Sequence, residues 1–243
     1  MYRFHRDPGA DGVGVAFSDA TAPDGSLLSL GGAHGAAGRA PGLAVIEADL
    51  GVPLVVVRQV HGVRVADADT TSPAELAHTE ADALVATRRS IALAVRVADC
   101  VPVLLADSAA GVIGAAHAGR VGLATGVLQA TVAALRAKGA GAITAWIGPH
   151  VCGACYEVPP ALAEQVGQQV PGTRSTTSWG TPALDLGAGA SRVLRGLGVT
   201  VIDVSACTLE NPGLHSYRRD GAASGRQAGI IWRTGACRNR VAG

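Results

Sequence analysis

The chain has 243 residues, 48% of them hydrophobic and 16% charged, and its 20 basic and 19 acidic side chains leave a net charge of +1. Typical soluble domains carry about 25% charged residues, so this composition excludes a largely disordered chain, which requires few apolar side chains and a high net charge. The near-neutral charge provides no basic face for a nucleic acid, and no apolar run reaches the roughly 18 residues of a membrane-spanning helix. We therefore expect a globular protein whose partners are neither nucleic acids nor membranes.

Two features bear on the compartment. The first nine residues lack the apolar core of a signal peptide. The five cysteines are an odd number, whereas secreted disulfide frameworks prefer even counts. These features predict a cytoplasmic protein with reduced thiols.

The hydrophobic pattern predicts strands and helices that alternate along most of the chain. The first 40 residues are glycine-rich and weakly periodic, and we interpret them as loop and short strands. The later predicted elements are a helix over Ala40–Leu50, strands over Leu54–Val60, Ala83–Ala86, Ile91–Val97, Val101–Ala106 and Val112–Ala116, a helix over Arg120–Lys138, a strand over Ile143–Ile147, helices over Pro160–Gln169 and Leu184–Leu197, a buried strand over Val199–Val204 and a last strand over Gly229–Trp232. We expect a mixed α/β fold in a single domain over residues 1–243, with a central, largely mixed sheet flanked by helices.

A β-hairpin brings a thiol and an imidazole together. The turn at residues 107–111 joins two apolar strands that run antiparallel. If Ala106 pairs with Val112, Cys100 faces Ala118 at the open end of the hairpin, and His117 is a near neighbour. The hairpin therefore predicts contact between Cys100 and His117.

His61 follows another apolar strand and can reach the same sheet edge. Two histidines and one cysteine form a three-ligand zinc site with an open position for water, which is the catalytic type of zinc site. The ligand spacing is unlike that of a zinc finger, where ligands come in close pairs. A cysteine in the core and hydrogen-bonded scaffold histidines are the alternative interpretation.

Other polar residues are candidates for substrate contact. Arg120 follows Gly119 at the predicted start of a long helix, where backbone N–H groups attract anions. Arg218, Arg219 and Arg226 cluster near the C-terminus and are suited to clamp an anionic or polyhydroxyl ligand, although they also fit a solvated loop. Asp99 precedes Cys100, and we expect it to orient a histidine or to move a proton.

Cys152 and Cys155 form a CxxC motif, which is typical of a redox pair or of half a zinc ribbon. The sequence has no second CxxC and no thioredoxin-like pattern around this one. We interpret the motif as a structural turn and assign no role to Cys207 or Cys237.

The chain resembles the bacterial laccase-domain proteins, a family whose members are known as polyphenol oxidase, purine nucleoside phosphorylase or peptidoglycan editing factor. The similar segments occur in the family's order across most of the chain from residue 54 onward. They are Gln59-Val-His-Gly62, Ala81-Asp-Ala-Leu84, Ala98-Asp-Cys-Val-Pro-Val-Leu-Leu-Ala-Asp107, Ala115-Ala-His-Ala-Gly119, Ile147-Gly-Pro149, Cys155-Tyr-Glu-Val158, Tyr217-Arg-Arg-Asp-Gly221 and Gly225-Arg226.

The resemblance implies that His61, Cys100 and His117 bind zinc, in a laccase-domain fold. We expect these three residues to act in catalysis, together with Asp99 because it adjoins a ligand. The resemblance also implies phosphorolysis of adenosine, inosine and methylthioadenosine and deamination of adenosine, with purine nucleosides and phosphate as substrates, in a cytosolic protein. We expect a monomer or a homodimer. Copper is less expected, because the seven histidines are spread along the chain rather than clustered.

The chain departs from the family pattern after His117-Ala-Gly119, where Arg120-Val121-Gly122 replaces the usual Trp-Arg-Gly. This departure affects the expected substrate range rather than the metal ligands.

We also keep two alternatives. The first is a cysteine hydrolase or amidase that edits a peptidoglycan precursor, with Cys100 as nucleophile and His117 as base. The second is a non-enzymatic folding or interaction protein that holds a structural metal.

Overall fold

The computed structural model describes residues 1–32 and 35–234, with the side chains of residues 35–40 left undescribed. The strands are β1 Tyr2–Arg6, β2 Val13–Ser18, β3 Leu54–Val55, β4 Val65–Asp67, β5 Ala83–Ala86, β6 Ala92–Val97, β7 Val101–Asp107, β8 Val112–Ala118, β9 Thr144–Ile147, β10 Arg174–Thr176, β11 Pro182–Leu184, β12 Thr200–Asp203 and β13 Gln227–Arg233. The α-helices are α1 Gly35–Leu50, α2 Pro73–Leu76, α3 Arg120–Thr125, α4 Val127–Ala137, α5 Pro160–Gln169, α6 Leu186–Gly196 and α7 Tyr217–Asp220.

Two mixed sheets form the centre of the fold. One has five strands in the order β1-β2-β13-β6-β3, and the other has six strands in the order β12-β9-β7-β8-β5-β4. Each sheet contains parallel and antiparallel pairs, and β10 and β11 form a separate two-stranded ribbon. The mixed α/β fold with mixed sheets flanked by helices is therefore confirmed, although two sheets replace the single predicted one.

The alternation of side chains along the strands places the sheets face to face. In β7, Leu104 and Ala106 pack into a core shared with Phe17 and Leu93 of the five-stranded sheet. The intervening residues of the same strand pack against α3 to α6 on the other side. A third core lies between the outer face of the five-stranded sheet and α1, around Ile46. The result is a helix–sheet–sheet–helix arrangement.

The β7–β8 hairpin forms as predicted, but its register differs by one residue. Asp107, not Ala106, pairs with Val112, and Val101 pairs with Ala118. Asp107 remains in the strand because its carboxylate accepts the N–H groups of Ala110 in the loop and of Gly141 beyond it. The predicted neighbourhood of Cys100 and His117 survives, because a slip of one residue leaves both at the same end of the hairpin.

The predicted long helix over Arg120–Lys138 is two helices. Gly126 ends α3 and begins α4 with a φ of 103°, a left-handed conformation that glycine adopts without steric cost. One face of α4 packs against the core: Val127, Leu128, Thr131, Val132 and Leu135 are buried. The short α3 therefore lies next to the candidate site on a separate axis from α4.

The predicted strand over Leu54–Val60 pairs with the sheet only at Leu54–Val55. Beyond it, the side chain of Gln59 takes the place of a strand partner: its Nε2 donates to the carbonyl of Arg96, and its Oε1 accepts the Arg96 N–H. After Gln59 the backbone leaves the sheet, and His61 lies at the open end of the β7–β8 hairpin, beside Cys100.

Smaller differences concern the ends of the chain and short elements. The first predicted helix begins at Gly35 rather than Ala40, and the last strand extends over Gln227–Arg233. The strand predicted as buried over Val199–Val204 is the edge strand β12, with exposed side chains at Thr200 and Ile202. In the described part of the chain, no helix is long and apolar enough to cross a membrane.

Candidate metal centre and active site

Three predicted ligands meet at the open end of the β7–β8 hairpin. The donor atoms of His61, Cys100 and His117 all lie within 4.8 Å of one another, and Cys100 Sγ is 3.8 Å from His61 Nε2. The two imidazole rings are 4.8 Å apart in an edge-to-face arrangement. His61 is exposed, Cys100 half-buried and His117 buried. Two imidazoles and one thiolate that open to solvent on one side form a candidate metal centre.

Gly119 leaves the space in which these donors meet. A Cβ atom on Gly119 would lie 2.8 Å from His61 Cδ2, 3.2 Å from Cys100 Sγ and 3.6 Å from His117 Cε1. A side chain at this position would therefore push against His61 and Cys100 and would touch His117. Because Gly119 has no side chain, the space between the three donor side chains stays open for a metal ion.

Asp82 is the residue that holds the two histidines in place. Its buried carboxylate accepts a hydrogen bond from His117 Nδ1 at 2.8 Å. It also accepts the backbone N–H groups of Val60, His61 and Gly62 at 3.2, 2.9 and 2.6 Å. The contact with Nδ1 leaves His117 Nε2 to face the donor cluster, which is the carboxylate–histidine arrangement found behind metal ligands.

Asp82 was missed as a functional residue, although it lies in a segment that carries the family resemblance. Its partners are backbone groups about twenty positions earlier and a side chain on the next strand of the sheet, so spacing alone gives no signal. The only sequence clue is an aspartate set between the apolar residues Ala81 and Ala83.

Backbone strain marks both sides of the centre. His61 and Asp99 have φ values of 61° and 85°, and they are the non-glycine residues with positive φ in the described part of the chain. Such conformations cost on the order of 1–3 kcal/mol each and persist only where the surrounding structure fixes them. Here the Asp82 carboxylate fixes the His61 backbone, and contacts of the Asp99 side chain fix the other position.

Asp99 does not contact a histidine. Its Oδ1 accepts a hydrogen bond from Thr208 Oγ1 at 2.6 Å, and its Oδ2 accepts the backbone N–H of Arg218 at 2.7 Å. The orienting role expected of Asp99 is therefore filled by Asp82, and movement of a proton by Asp99, which lines the cavity, stays a prediction. Asp99, which directly precedes Cys100, instead links this end of the hairpin to the start of α7.

The electrostatics of the centre favour a thiolate next to an imidazolium. Burial alone would raise the pKa of Cys100, but hydrogen bonds and charge from His117 and His61 lower that pKa to about 6. Burial alone would lower the pKa of His117, but its contacts with Asp82 and Cys100 raise that pKa to about 9. Between these values the thiol is ionised, which is the form that binds metals.

This ionisation predicts the reactivity of Cys100. In protein stripped of metal by a chelator, we expect the alkylation rate of Cys100 by iodoacetamide to reach half its maximum near pH 6, against about pH 8.5 for an ordinary thiol. Peptide mass spectrometry across a pH series measures the rate. Cys152, whose pKa burial and Cys207 raise, is the internal control. A midpoint for Cys100 above pH 8 would contradict the predicted ion pair.

A cavity of about 440 Å³ opens from the metal centre, within the range of about 300–1,000 Å³ typical of small-molecule sites. Its lining combines the donor cluster, three arginines, two tyrosines and a few apolar residues. The lining residues are Gly32, Gln59, His61, Arg96, Val97, Ala98, Asp99, Cys100, His117, Val151, Tyr156, Leu186, Tyr217, Arg218 and Arg226.

Two of the four arginines considered for substrate contact line this cavity, whereas Arg219 donates to the backbone carbonyls of Thr208 and Leu214. The Arg218 guanidinium lies 4.6 Å from the ring centre of Tyr156 and donates to the carbonyl of Glu157. The Arg226 guanidinium lies 5.9 Å from the ring centre of Tyr217. Arg120 begins α3 just after Gly119 but is not among the residues that line the cavity, and its predicted contact with substrate stays a prediction.

Fold and site together define a class of protein: a mixed α/β protein with a candidate two-histidine, one-cysteine metal centre at the mouth of a cavity. The model of the family described as multi-copper polyphenol oxidoreductase laccase matches residues 41–234. The chain belongs to this family.

Similar proteins cover most of the chain. Purine nucleoside phosphorylase ORF3 of Streptomyces griseus is 52% identical over 182 residues, which is 74% of each chain. A purine nucleoside phosphorylase of Corynebacterium glutamicum is 47% identical over 183 residues, again 74% of each chain. Among solved structures, protein NMB0706 of Neisseria meningitidis has a TM-score of 0.79 at 30% identity, over 96% of this chain and 99% of that one.

Proposed function

We propose that the protein is a zinc-dependent enzyme that cleaves purine nucleosides by phosphorolysis, with adenosine, inosine and methylthioadenosine as substrates, and that also deaminates adenosine. The observation that carries the proposal is the cavity, which joins a three-donor metal centre to cationic and aromatic side chains. The names of the relatives from Streptomyces griseus and Corynebacterium glutamicum support the same reaction class.

The donor set fits zinc. Zinc accepts imidazole and thiolate ligands and keeps an open position in catalytic sites. A blue-copper centre also uses two histidines and a cysteine, but it adds a weak axial ligand, usually methionine. The single methionine of the chain is Met1, and the Gln59 side chain is already bonded to the Arg96 backbone. When bound, zinc would supply a Lewis acid that polarises a substrate oxygen or lowers the pKa of a water molecule.

The chain's own residues account for binding of the two substrates. Arg96, Arg218 and Arg226 make the cavity wall cationic, which suits a phosphate anion. The rings of Tyr156 and Tyr217 offer flat faces for a purine base, and the base would be stacked or edge-on against them. Leu186 adds an apolar surface to the lining.

In the proposed phosphorolysis, the negatively charged phosphate binds beside the arginines of the cavity wall. A phosphate oxygen bonds to C1′ of the ribose while the bond from C1′ to the purine nitrogen breaks, which gives ribose 1-phosphate and a free base. The guanidinium groups hold the phosphate and balance its charge as it approaches the sugar. Asp82 contributes indirectly, because it keeps His61 and His117 in position. In deamination, water replaces the amino group at C6 and ammonia leaves.

Replacing Cys100 by serine tests the proposal. We expect the Cys100→Ser variant to bind one zinc equivalent fewer than wild type and to lose turnover of adenosine together with it, because the hydroxyl of serine is a poor substitute for thiolate at a zinc centre. Adenosine is incubated with phosphate, adenine and inosine are followed by chromatography, and zinc is measured by elemental analysis. The control is His5→Ala, which changes a histidine of β1 far from the centre in the fold.

Two results would contradict the proposal. Wild-type protein with zinc bound that forms neither adenine nor inosine would exclude nucleoside chemistry for this chain. A Cys100→Ser variant that keeps its zinc at the hairpin would remove Cys100 from the ligand set.

The thiolate–imidazolium pair favours one second candidate. With a pKa near 6, Cys100 is a competent nucleophile, and His117 is placed to donate a proton to a leaving amine. The protein would then be a metal-free cysteine hydrolase or amidase that edits a peptidoglycan precursor. Chelation separates the two candidates: it abolishes the zinc-dependent reaction, whereas it would leave or increase hydrolysis of a peptidoglycan precursor and make it sensitive to iodoacetamide.

A further inference from the structure

A second group of metal-binding side chains lies apart from the hairpin. The Sγ atoms of Cys152, Cys155 and Cys207 and a carboxylate oxygen of Glu210 all lie within 4.8 Å of one another. We call these four residues the cysteine–glutamate cluster. Cys207 gives no signal in the sequence, because its partner in the second loop is a glutamate and the two do not form a second CxxC motif.

The cluster is built from two neighbouring loops. Strands β9 and β12 are parallel neighbours at the edge of the six-stranded sheet, so the loops that follow them leave the sheet at the same end. One loop carries Cys152 and Cys155, and the other carries Cys207 and Glu210. A parallel bridge between His150 and Cys207 joins the two loops directly.

Each loop presents its two ligands at positions i and i+3 of a tight turn. In the first turn, the N–H of Cys155 donates to the carbonyl of Cys152 at 3.0 Å. The second turn is one residue wider: the N–H of Asn211, which follows Glu210, donates to the carbonyl of Cys207 at 3.2 Å. Paired ligands on two such turns are the usual construction of structural zinc sites. The notable difference is that one of the four thiolates is replaced by a carboxylate, which zinc also accepts.

The distances among the four groups are compatible with four ligands of one metal ion. Cys155 Sγ lies 3.3 Å from Glu210 Oε1, and the backbone N–H of Cys152 donates to Cys207 Sγ at 3.5 Å. Zinc–sulfur bonds of about 2.3 Å in a tetrahedron place ligand sulfurs about 3.8 Å apart. All three thiols are free. A disulfide would use two of the sulfurs and leave the third sulfur and the carboxylate without a role, whereas one metal ion uses all four.

We infer that the cysteine–glutamate cluster binds a second zinc ion, in a closed four-ligand site of structural type. The site stabilises one wall of the cavity. Thr208 follows Cys207 and donates to the Asp99 carboxylate, which also accepts the N–H of Arg218. A metal that fixes the loop of Cys207 therefore also fixes Asp99, next to Cys100, and the start of α7.

Metal content tests the inference without reference to catalysis. Reduced wild-type protein, stripped by a chelator and then titrated with zinc, is expected to bind two equivalents. The Cys152→Ser/Cys155→Ser double variant should bind one, and the His61→Ala/Cys100→Ser variant should also bind one. The control Glu157→Gln changes an exposed glutamate of the same loop and should keep both. A Cys152→Ser/Cys155→Ser variant that binds as much zinc as wild type, or a His61→Ala/Cys100→Ser variant that binds none, would overturn the inference.

The absorbance of cobalt bound to wild-type protein provides a second test, which does not depend on the folding of a variant. Thiolate-to-cobalt charge transfer absorbs in the near ultraviolet and grows with the number of thiolate ligands. Since the cluster holds three of the four thiolates in the two candidate sites, it should contribute about three quarters of this absorbance in wild-type protein. Absorbance equal to that of a single thiolate at saturating cobalt would contradict the site. Because this absorbance belongs to the cluster, it stays in the His61→Ala/Cys100→Ser variant even if the proposed nucleoside activity is wrong.

Discussion

Replacing Asp82 by asparagine is expected to weaken metal binding at the His61, Cys100 and His117 centre by about 10–100-fold, the range found for carboxylates behind metal-bound histidines. The carboxylate holds His117 through Nδ1 and the His61 segment through three backbone N–H groups. An asparagine side chain has one acceptor oxygen in place of two. At least one of these buried donors would therefore lose its partner, at a cost of about 1–3 kcal/mol.

The measurement is a competition titration with a chromophoric chelator, combined with a urea melt of the metal-free protein. Asp82→Asn should lose affinity for metal and some stability, whereas the control Asp69→Asn should keep its affinity at this centre, since Asp69 contacts Thr87 and Lys138 rather than a histidine. Asp82→Ala is a poorer choice, because leaving the buried His117 charge unpaired costs about 3–5 kcal/mol and threatens the fold. Unchanged affinity in Asp82→Asn would show that the carboxylate does not support the ligands.

The same contacts set the pH range of stability in the metal-free protein. Burial would raise the pKa of Asp82, but hydrogen bonds from His117 and from the backbone of Gly62 and Val60 hold it below its usual value. The stabilisation from Asp82 is therefore present above about pH 3.9 and is lost as the pH falls below that value. The pKa of His117 is raised to about 9, so its contribution is complete below about pH 6.5 and is lost as the pH rises through 9.

The contact between Cys100 and His117 could be predicted from the sequence, because it depends only on a local hairpin pattern. Two apolar strands and a short turn determine which residues lie at the open end of the hairpin. The error of one residue in register arose from Asp107, whose side chain bonds to Gly141 in a part of the chain that the hairpin pattern does not include. The end of the hairpin tolerates such an error, whereas a prediction of which face each side chain occupies would not.

The arrangement of the strands in two sheets could not be predicted from the sequence pattern. Strand β13, near the C-terminus, pairs with β2 on one side and β6 on the other. No local pattern specifies partners so distant in the chain. The same limit explains why Asp82 and Cys207 were missed, since each acts on residues brought to it by the sheets. His61 was placed correctly at the site, although the strand expected to deliver it ends at Val55.

Replacing Gly119 by alanine is expected to damage the metal centre while leaving the fold intact. Gly119 has a φ of −72° and a ψ of 168°, a conformation open to alanine, so the backbone is not strained by the change. The added methyl group would lie 2.8 Å from His61 Cδ2 and 3.2 Å from Cys100 Sγ. His61, which is exposed, is the side chain most free to move, and its displacement breaks the three-donor geometry.

We expect the Gly119→Ala variant to lose about 100-fold in kcat/KM for the nucleoside reaction, the order of loss caused by a misplacement of about 1 Å in an active site. Zinc affinity should fall with it, while the thermal midpoint of the metal-free protein stays near that of wild type. The matched control is Gly196→Ala at the end of α6, where a Cβ has no neighbour within 4 Å and alanine favours the helix. Equal activity and zinc content in the two variants would mean that the donors do not converge on the space beside Gly119. The candidate centre would then need a different arrangement of ligands from the one described.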